Sequence, residues 1–581
     1  MTTLSTRWIA LGTTAPGPDA GSLLERVLQV RGIPADERGR EILLAPRAGH
    51  LHAPRTLPGA TEVAQRLEAA VRAGRPVAVY GDYDADGITA TAVLMRTLRA
   101  ADPAADIRAY IPDRIDEGYG LNEGALEALA AQGVRTVVTV DCGVTAVEPA
   151  RRARELGLEL LITDHHTAEA GSVAPADAVA HPALPEGPRA PFEALCGAAV
   201  AFKVASEFAR LWCGGERVAK VFTSALSQAM PLVAMGTVAD VVPLVDENRV
   251  FVARGLAVMR TAAVAGVTAL LEDAQLGEGR AVEASDVGFR LGPRLNAIGR
   301  LGHAREAVEL LLTDDLARAR ALARVLAMHN ERRRELERAI FEQACERVDA
   351  LPGAADAGAI VLADARWHEG VVGIVAQKIA ERYGRPAILM SLRGDGTAKG
   401  SGRSVEGVDI LAAVHGAARG LLLRGGGHAF AVGVTVREED VPTFAERVAG
   451  ACAQARGEAP VGATFRYEAV AAPQEFTREA VEQLQQLAPF GRGNPDPVFL
   501  LQRVRPVAPP QCFGADRRHL EIALPGSPRA LRAVWWGGAA RGASVRAATG
   551  VDLLVKARID SFRGRESVQL VVVDARPSAG G

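Results

Sequence analysis

A chain of 581 residues is too long for one hydrophobic core, so we expect roughly three or four domains. Its hydrophobic content of 48% is that of a soluble globular protein, and its net charge of −2 gives no global signature of a nucleic-acid partner. The sequence lacks an apolar stretch long enough to span a bilayer, a secretory signal, and CxxC spacing among its six cysteines. We therefore expect a cytoplasmic protein with no membrane span, zinc site or disulfide framework.

The first half of the chain alternates between apolar runs and helix-like segments. Residues 1–60 are irregular, with Pro and Gly punctuation, and the apolar stretch 225–245 is predicted to be a buried helix and turn. Continuous apolar runs suit strands that are buried on both faces. Predicted strands lie at 76–80, 106–112, 136–140 and 158–163, and predicted helices at 61–74, 88–100, 122–133 and 146–157. This order predicts a doubly wound, mostly parallel sheet.

Polar clusters follow three of these strands. "GDYDADG" (81–87) follows the first strand, "DCGVT" (141–145) the third and "DHHT" (164–167) the fourth. In such sheets, ligands bind at the carboxyl ends of the strands. A lone DHH tripeptide is equally well explained by a polar turn with a capping Asp. Three such strand ends together favour a metal site, because carboxylate and imidazole groups are good ligands for Mn²⁺-like ions.

The first cluster has three carboxylates at alternate positions. In an extended segment, Asp82, Asp84 and Asp86 point to one side and repel each other unless a cation lies among them. We expect Asp86 to cap the following helix rather than to bind the ion. A calcium loop of the EF-hand type is disfavoured, because Val93 stands where the bidentate Glu is required.

Four carboxylates and two imidazoles make up the predicted metal site. This set suits two divalent ions about 3.5–4 Å apart, the arrangement used in phosphoryl hydrolysis. The mixed shell favours Mn²⁺, with Mg²⁺ as the alternative. The six residues, which we also expect to be catalytic, are Asp82, Asp84, Asp141, His165, His166 and Asp240.

The second half of the chain changes character twice. A long charged helix is predicted over 303–348, with a break near Thr313, as a connector between domains. A second α/β pattern begins at 358, and short β-like runs in 464–577 predict a small barrel or sandwich. Residues 491–581 hold fourteen Lys and Arg against seven Asp and Glu, which fits a polyanionic partner.

Seven motifs, in order, resemble those of one family. "GDYDADGITA", "VTVDCGVTA", "ITDHHT" and "GTVADVVPL" are similar to the successive motifs of the DHH phosphoesterase superfamily. "GFRLGPRLNAIGRLGHA", "GSGRSVEGVDI" and "GGGHAFAVGVT" resemble its RecJ branch, the single-strand-specific 5′→3′ exonucleases. The resemblance covers the chain from about residue 75 to its end.

The resemblance implies an α/β architecture. A parallel-sheet DHH domain and a smaller α/β DHHA1 domain would be joined by a long helix and followed by a β-barrel OB-fold. The expected divisions are an N-terminal segment, the DHH domain, the connecting helix, the DHHA1 domain and the OB-fold, at 1–60, 61–302, 303–350, 351–460 and 461–581. His181 departs from the pattern, since such proteins often have Asn there, and its role is therefore open.

The resemblance also implies where a nucleic acid is held. The three RecJ-type motifs contain hydroxyl, guanidinium and backbone N–H groups that would form a phosphate cradle. Each motif alone also fits a glycine turn with a solvated Arg. Arg300, Ser401 and Arg403 are the leading candidates to anchor a 5′-phosphate. The full predicted set is Arg294, Asn296, Arg300, Ser401, Arg403, Ser404, Gly426, Gly427 and His428. The candidates for base stacking are Phe490, Phe499, Phe513, Trp535, Trp536 and Phe562.

The implied activity is that of a two-metal-ion exonuclease that degrades single-stranded DNA to 5′-mononucleotides in recombination and repair. Its partner is single-stranded DNA with a 5′ end, a helicase and a single-stranded-DNA-binding protein are further candidates, and we expect a monomer. One alternative is a small-substrate DHH phosphodiesterase acting on oligoribonucleotides or cyclic dinucleotides. The other is an inactive DNA-binding scaffold at the replication machinery. Chain length and the terminal β-domain argue against the first, and the six retained ligand positions argue against the second.

Overall fold

The structure of this chain is a computed structural model. It describes residues 6–12, 15–32, 36–114, 117–118, 120–261, 264–277, 280–350, 353, 357–456, 464–526, 530–560 and 566–578. These residues form two α/β domains joined by a long helix, and a C-terminal β-domain, which confirms the predicted fold class. Short 3₁₀ turns lie at Pro18–Ala20, Ala48–His50, Pro54–Thr56, Glu438–Asp440 and Pro473–Glu475.

The described part of the N-terminal segment contains regular elements, although this segment was expected to be irregular. It contains β1 (Arg7–Ala10), α1 (Leu23–Arg31) and α2 (Glu37–Leu44). A reciprocal capping box between Ser22 and Glu25 starts α1. Leu23 and Val27 of this helix are buried in the core of the C-terminal β-domain. The two ends of the chain therefore fold together.

The first α/β domain surrounds a five-stranded sheet in which all strands are parallel. Its elements are α3 (Ala60–Arg72), β2 (Val77–Tyr80), α4 (Ala85–Ala101), β3 (Ile107–Tyr110), α5 (Glu123–Ala131), β4 (Thr136–Val140), α6 (Val147–Glu155), β5 (Glu159–Thr163), β6 (Ala178–Ala180), α7 (Gly197–Trp212), α8 (Lys220–Ala239), α9 (Asp246–Val258), α10 (Ala265–Asp273), α11 (Ala284–Asp286), α12 (Gly292–Leu301) and α13 (Arg305–Leu312). A single π-helical turn, Val287–Leu291, joins α11 to α12.

The strand order in this sheet is β3-β2-β4-β5-β6. Because β2 lies between β3 and β4, the chain reverses its direction across the sheet at this point, and a crevice opens at the carboxyl ends of β2 and β4. Both faces of the sheet are covered: Val77 and Val79 belong to one hydrophobic core, and Ala78 and Tyr80 to another. Burial on both faces explains why the strands are continuously apolar.

Helix α8 is the apolar segment of this domain. By length and composition it could cross a membrane, but most of it is buried inside the protein. It packs against α4, α7 and α9 as a core helix. The helix ends at Ala239 and a loop follows, as predicted for 225–245, and Asp240 lies at that end.

A long helix connects the two α/β domains. The predicted break near Thr313 is confirmed, because α13 ends at Leu312 and α14 runs over Leu316–Ala350. Its 35 residues span about 50 Å at 1.5 Å per residue.

The second α/β domain has a mixed five-stranded sheet in the order β10-β11-β9-β8-β7. Its elements are β7 (Ile360–Asp364), α15 (Glu369–Tyr383), β8 (Ala387–Leu392), β9 (Thr397–Arg403), α16 (Ile410–Ala418), β10 (Leu422–His428), β11 (Ala431–Arg437) and α17 (Val441–Arg456). Strand β7 is parallel to β8, and the other neighbouring pairs are antiparallel. Strand β10 is the first in this order and is an edge strand of the sheet.

The C-terminal β-domain has a seven-stranded sheet in the order β13-β14-β18-β19-β17-β16-β15. Its elements are β12 (Thr464–Tyr467), β13 (Ala469–Val470), α18 (Arg478–Gln485), β14 (Phe499–Val504), β15 (Gln511–Phe513), β16 (His519–Leu524), β17 (Leu531–Trp535), α19 (Ala543–Ala547), β18 (Val551–Asp560) and β19 (Ser567–Pro577). Strand β12 pairs in parallel with β1, which ties the N-terminal segment to this domain.

Candidate metal centre

The carboxyl ends of the first sheet and the end of α8 bring all six predicted metal residues into one cluster. Three sets of side chains place one ligand atom per residue within 4.8 Å of one another. The sets are Asp82, Asp84 and Asp141; Asp141, His165 and His166; and Asp86, His165 and Asp240. Asp86 thus joins the cluster, although the sequence analysis gave it another role.

Helix α4 is capped by Asp84 and not by Asp86. The Asp84 Oδ1 atom accepts hydrogen bonds from the backbone N–H groups of Asp86, at 2.9 Å, and Gly87, at 3.1 Å. The prediction that Asp86 caps the helix is wrong, because the backbone is still extended at Asp84 (φ −94°, ψ 178°) and becomes helical at Ala85. Asp84 therefore starts the helix and also lies in the cluster.

Asp86 lies in the first turn of α4 and is buried against the start of α7. Its carboxylate accepts hydrogen bonds from the N–H groups of Gly197, at 2.7 Å, and Ala198, at 2.9 Å. Its Oδ2 atom is 3.9 Å from His165 Nε2. Burial and the charge of Asp84 raise the pKa of Asp86 to about 6. The DxDxD spacing predicts that these acids lie together. It does not show that Asp84 caps the helix and that Asp86 is the buried acid, because this depends on the residue at which the backbone becomes helical.

Asp82 lies two residues beyond the end of β2 and is 3% exposed. Gly87 permits this position, since a Cβ atom there would lie 2.6 Å from the Asp82 backbone N. Burial and the charge of Asp84 raise the pKa of Asp82 well above its usual range, against the charge of Arg114. Among the described residues, nothing forms a hydrogen bond with the buried Asp82 Oδ1.

Asp141 follows β4 in a left-handed backbone conformation, with φ 64°. Such a conformation is costly for a residue other than Gly, and it is typical of functional sites. The helix α7 begins so close that a Cβ atom on Gly197 would lie 2.5 Å from Asp141 Cβ. Burial and the charge of Asp86 raise the pKa of Asp141 well above its usual range.

His165 lies at the centre of the cluster. Its Nε2 atom is 3.0 Å from Asp141 Oδ1 and 3.8 Å from Asp240 Oδ2. Burial and the neighbouring His166 lower the pKa of His165 to about 4, so the ring is neutral at pH 7. The buried Nε2 atom forms no hydrogen bond with any described residue. A neutral imidazole nitrogen beside carboxylates is the donor set that a divalent cation requires.

Asp164 positions the two histidines. Its Oδ1 atom accepts hydrogen bonds from the backbone N–H of His165, at 2.7 Å, and from His166 Nδ1, at 2.8 Å. Its Oδ2 atom accepts from the N–H of Val144, at 2.9 Å. Although burial opposes both shifts, this pairing lowers the pKa of Asp164 to about 2 and raises that of His166 to about 9. Asp164 is not among the predicted site residues, although it is the first residue of the DHH motif.

His181 supports the same segment. Its Nε2 atom lies 2.9 Å from the His166 carbonyl oxygen, and the N–H of Ala183 donates to its Nδ1 atom at 3.0 Å. The second bond makes Nδ1 the acceptor, so Nε2 carries the proton and donates. His181 therefore holds the backbone of His166, which is a role that Asn could also fill.

Asp240 caps the carboxyl end of α8 and closes the cluster from the other side. Its side chain is 27% exposed, more than those of Asp86 and Asp141. Burial and the charges of Asp86 and Asp84 raise its pKa to about 8. Carboxylates that burial and mutual repulsion push toward protonation are expected where a bound cation is needed to keep them ionised.

A cluster of arginines lies at the seam between the two α/β domains. Arg300 of α12 donates from Nη1 to the Gly370 carbonyl oxygen in α15, at 2.9 Å. Arg403 Nη1 donates to Ser401 Oγ at 2.9 Å. The two groups meet at α15, where a Cβ atom on Gly373 would lie 2.8 Å from Ser401 Oγ. The three leading phosphate candidates are therefore close together.

Arg114 is a member of this cluster that the sequence analysis missed. Its guanidinium lies 4.9 Å from the centre of the Tyr83 ring. Burial, and then the charge of Arg114, lower the pKa of Arg300 to about 9 and also lower that of Arg403. Like charges held this close together attract an anion such as a phosphate group. The loop sequence around Arg114 carries no motif that would have identified it.

Three other predicted substrate residues are held by internal contacts. Arg294 Nε donates to Asp273 Oδ2 at 2.8 Å. Asn296 Oδ1 accepts from the N–H of Ala85 at 2.7 Å, which steadies the start of α4. Ser404 Oγ donates to the Val408 carbonyl oxygen at 2.6 Å. Their assignment to substrate binding stays a prediction.

Gly426, Gly427 and His428 lie on the exposed edge strand β10. Gly427 has φ 145°, and a Cβ atom there would overlap the Ala431 carbonyl oxygen. Because β11 pairs Ala431 with Arg403 and also with His428, this hairpin tip lies at the same end of the sheet as Arg403.

The candidate stacking residues separate into core and surface. Phe499 and Trp535 are buried in the β-domain, and Phe490 is packed against the same core. Trp536 is 51% exposed and meets Phe513 edge-on, with ring centres 5.7 Å apart. Phe562 lies outside the described residues. Phe513 and Trp536 are the pair available at the surface.

Three family models match the chain. They are the DHH family, N-terminal domain, at residues 76–237; the DHHA1 domain, at 356–454; and the RecJ OB domain, at 467–574. The chain is 34% identical to the single-stranded-DNA-specific exonuclease RecJ of Bacillus subtilis over 560 residues, which is 96% of this chain and 68% of that protein. It is 33% identical to the enzyme of the same name from Escherichia coli over 554 residues, 90% of this chain and 91% of that protein.

Solved structures agree with these matches. RecJ from Thermus thermophilus in complex with Mn²⁺ superposes with a TM-score of 0.80 at 31% identity, covering 99% of this chain and 80% of that one. Its complex with Mg²⁺ gives 0.75 at 31% identity, covering 99% and 79%. An exonuclease RecJ bound to manganese gives 0.59 at 37% identity, covering 70% of this chain and 97% of that one.

Proposed function

This chain belongs to the RecJ family of single-stranded-DNA-specific exonucleases, and from that premise we propose that it hydrolyses single-stranded DNA from the 5′ end in recombination and repair. The supporting observation is the convergence of acidic and imidazole side chains at the crevice between β2 and β4. Asp82 Oδ1 and His165 Nε2 are buried there without a hydrogen-bond partner among the described residues, as metal ligands would be.

The donor set fits two divalent ions, Mn²⁺ or Mg²⁺, the ions named for the solved relatives. The ligands would be the six predicted residues, Asp82, Asp84, Asp141, His165, His166 and Asp240, with Asp86 as a further carboxylate at the His165 side. When bound, such ions lower the pKa of water to give a nucleophile and neutralise charge that develops on the phosphate.

The protein holds these ligands in fixed orientations. Asp84 is fixed by its hydrogen bonds to the start of α4, and Asp86 by its bonds to the start of α7. Asp164 holds the His166 ring through Nδ1 and so fixes the orientation of that ring. A preorganised site avoids reorganisation during the reaction, which is the main source of catalysis by charged groups.

The arginine cluster supplies the end-dependence. Arg300, Arg403, Ser401 and Arg114 form a cationic pocket suited to a terminal 5′-phosphate. Anchoring that phosphate places the first phosphodiester over the acidic cluster. Release of a 5′-mononucleotide means that the P–O3′ bond breaks and water supplies the new phosphate oxygen. The shortened strand then carries a new 5′-phosphate, which the same pocket can bind.

The OB domain contributes affinity for a single strand. Base stacking on an exposed aromatic contributes about 1–3 kcal/mol per base and tolerates any sequence. Phe513 and Trp536 offer such a surface, with the Arg532 guanidinium 5.8 Å from the Phe513 ring. A surface that needs unpaired bases favours single strands over duplex DNA.

The cellular setting follows from this substrate. An enzyme limited to single strands requires a helicase to open duplex DNA, and it meets strands covered by a single-stranded-DNA-binding protein. The six cysteines are free, which fits the reducing cytoplasm. We propose a monomer, which light scattering coupled to gel filtration tests.

The deciding experiment is the degradation of end-labelled single strands with and without Mn²⁺. A 5′-labelled strand should yield labelled mononucleotide as the first product, and a 3′-labelled strand should shorten progressively. A small-substrate phosphodiesterase would instead cleave dinucleotides and cyclic dinucleotides faster than long strands. An inactive scaffold would bind the strands without releasing label, and either outcome would refute the proposal.

A further inference from the structure

A tight turn of the OB domain, Gly491–Asn494, lies close to the acidic cluster. This turn docks on the loop that follows Asp240. The N–H of Leu244 donates to the Arg492 carbonyl oxygen at 2.7 Å, and Arg492 Nη1 donates to the Val241 carbonyl oxygen at 3.4 Å. A residue of the OB domain is thereby attached to the residue next to a predicted metal ligand.

Two glycines make this close docking possible. A Cβ atom on Gly491 would lie 2.7 Å from Leu244 Cδ1. A Cβ atom on Gly493, which has φ 75°, would lie 2.9 Å from Pro243 Cβ. Larger side chains at either position would push the turn, and Arg492 with it, away from Asp240.

The turn is also held rigidly from behind. The buried Asn494 side chain donates to the carbonyl oxygens of Leu487, at 2.7 Å, and Pro489, at 2.9 Å. Arg249 of α9 in the first α/β domain donates to the Leu487 and Ala488 carbonyl oxygens, both at 2.8 Å. The backbone of Arg492 is therefore fixed relative to the cluster.

The Arg492 charge is available to a ligand. The side chain is exposed and forms no ion pair with a carboxylate in the part of the chain that the structure describes. Its guanidinium lies at the Val241 carbonyl oxygen, one residue beyond Asp240. A fixed cation next to a phosphodiester-hydrolysing cluster has the chemistry to bind a backbone phosphate.

The position of Arg492 relative to the 5′-phosphate pocket sets the direction of the strand. Arg114 lies against the ring of Tyr83, next to Asp82, whereas Arg492 lies against the Val241 carbonyl oxygen, next to Asp240, so the two cations approach different acids of the cluster. If the 5′-phosphate is bound on the Arg114 side, the strand beyond the cut must leave on the Arg492 side. We propose that Arg492 binds the phosphate immediately 3′ of the scissile one, in a subsite shared by the catalytic and OB domains.

This inference rests on the proposed exonuclease function, and short substrates test it. A 5′-phosphorylated dinucleotide has one phosphodiester and no phosphate beyond it, whereas a trinucleotide has one. Arg492→Ala should lower kcat/KM for the first cut of the trinucleotide by roughly tenfold or more and leave the dinucleotide unchanged. Arg492→Lys should recover part of the loss. Arg505→Ala, which removes an exposed charge from the same domain, is the matched control and should change neither rate.

A second arm uses long strands with a neutral methylphosphonate in place of the phosphate one position beyond the first cut. The neutral linkage should slow the wild-type enzyme, because Arg492 loses the charged phosphate that it binds. It should not slow Arg492→Ala further, because that variant already lacks the cation. An equal loss for Arg492→Ala on both short substrates, or additive losses in the second arm, would mean that Arg492 only braces the Val241 loop. Failure of the wild-type enzyme to cut any strand would refute the exonuclease function itself.

Discussion

The Asp164 carboxylate accepts a hydrogen bond from His166 Nδ1 at 2.8 Å, so that an acid outside the predicted metal set orients an imidazole within it. Replacing Asp164 by Asn keeps the shape but removes the charge that raises the basicity of the ring. Because such outer partners typically change metal affinity by roughly 10–100-fold, we expect Asp164→Asn to need that much more Mn²⁺ for half-maximal activity. Calorimetric titration with Mn²⁺ measures the affinity without turnover, and an unchanged dissociation constant would contradict the role.

Gly197 must remain without a side chain for Asp141 to hold its position. A Cβ atom at Gly197 would lie 2.5 Å from Asp141 Cβ, so Gly197→Ala should displace this acid and lower activity by at least tenfold, about 1.4 kcal/mol in the barrier. Gly124→Ala in α5 is the matched control, because its Cβ would meet only Asn122 Oδ1, at 3.7 Å. That change should stabilise the helix by roughly 0.5–1 kcal/mol in thermal unfolding and leave activity intact.

The sequence was sufficient for features that depend on local pattern. Period-two acids and apolar strands placed the cluster at the strand ends, because side-chain direction in a strand follows from spacing alone. It did not distinguish the cap from the buried acid in Asp84 and Asp86, since that depends on where the backbone turns helical. It also missed Arg114, whose neighbours Arg300 and Arg403 come from distant segments. The packing of α1 in the core of the C-terminal β-domain was also not predicted, because it is a contact between residues at the two ends of the chain.

Asp84 offers a way to separate catalysis from folding. Asp84→Ala removes both a predicted ligand and the cap of α4, which would cost about 1 kcal/mol of stability. Asp84→Asn retains the cap, because Asn is an equally good N-cap residue, and removes only the charge. We expect both variants to lose Mn²⁺-dependent hydrolysis by at least 100-fold and to keep single-strand binding in a fluorescence anisotropy assay. Normal hydrolysis by a purified Asp84→Asn protein would remove Asp84 from the metal site.

The 5′-phosphate pocket predicts a preference between strand ends. Arg403→Ala removes a charge-assisted contact worth about 1.5–3 kcal/mol, so kcat/KM for 5′-phosphorylated strands should fall roughly 10–150-fold. Strands with a 5′-hydroxyl lack the phosphate that Arg403 would bind, so their kcat/KM should fall much less. Arg320→Ala is the comparison, because Arg320 on α14 is an exposed arginine paired with Glu272, and it should not change the ratio between the two kinds of end. Equal losses on both ends for Arg403→Ala would place the anchor elsewhere.

Asp364, which lies near the end of the connecting helix, makes the stability of the folded protein depend on pH in the acid range. Hydrogen bonds from Arg366, with the charge of Arg347 at the end of α14, lower the pKa of the Asp364 carboxyl below its usual value. A depressed folded-state pKa stabilises the protein above the unfolded pKa of about 3.9, and this contribution disappears as the pH falls through the folded value. Asp364→Asn should therefore lower the melting temperature at pH 7 and at pH 5 by the same few degrees. The gap to the wild type should begin to close as the pH falls below about 4, where the unfolded carboxyl takes up a proton, and should disappear only as the pH falls through the lower folded-state pKa. Scanning calorimetry across this range tests the sign, because a gap that widens in acid would mean that the Asp364 pKa is raised.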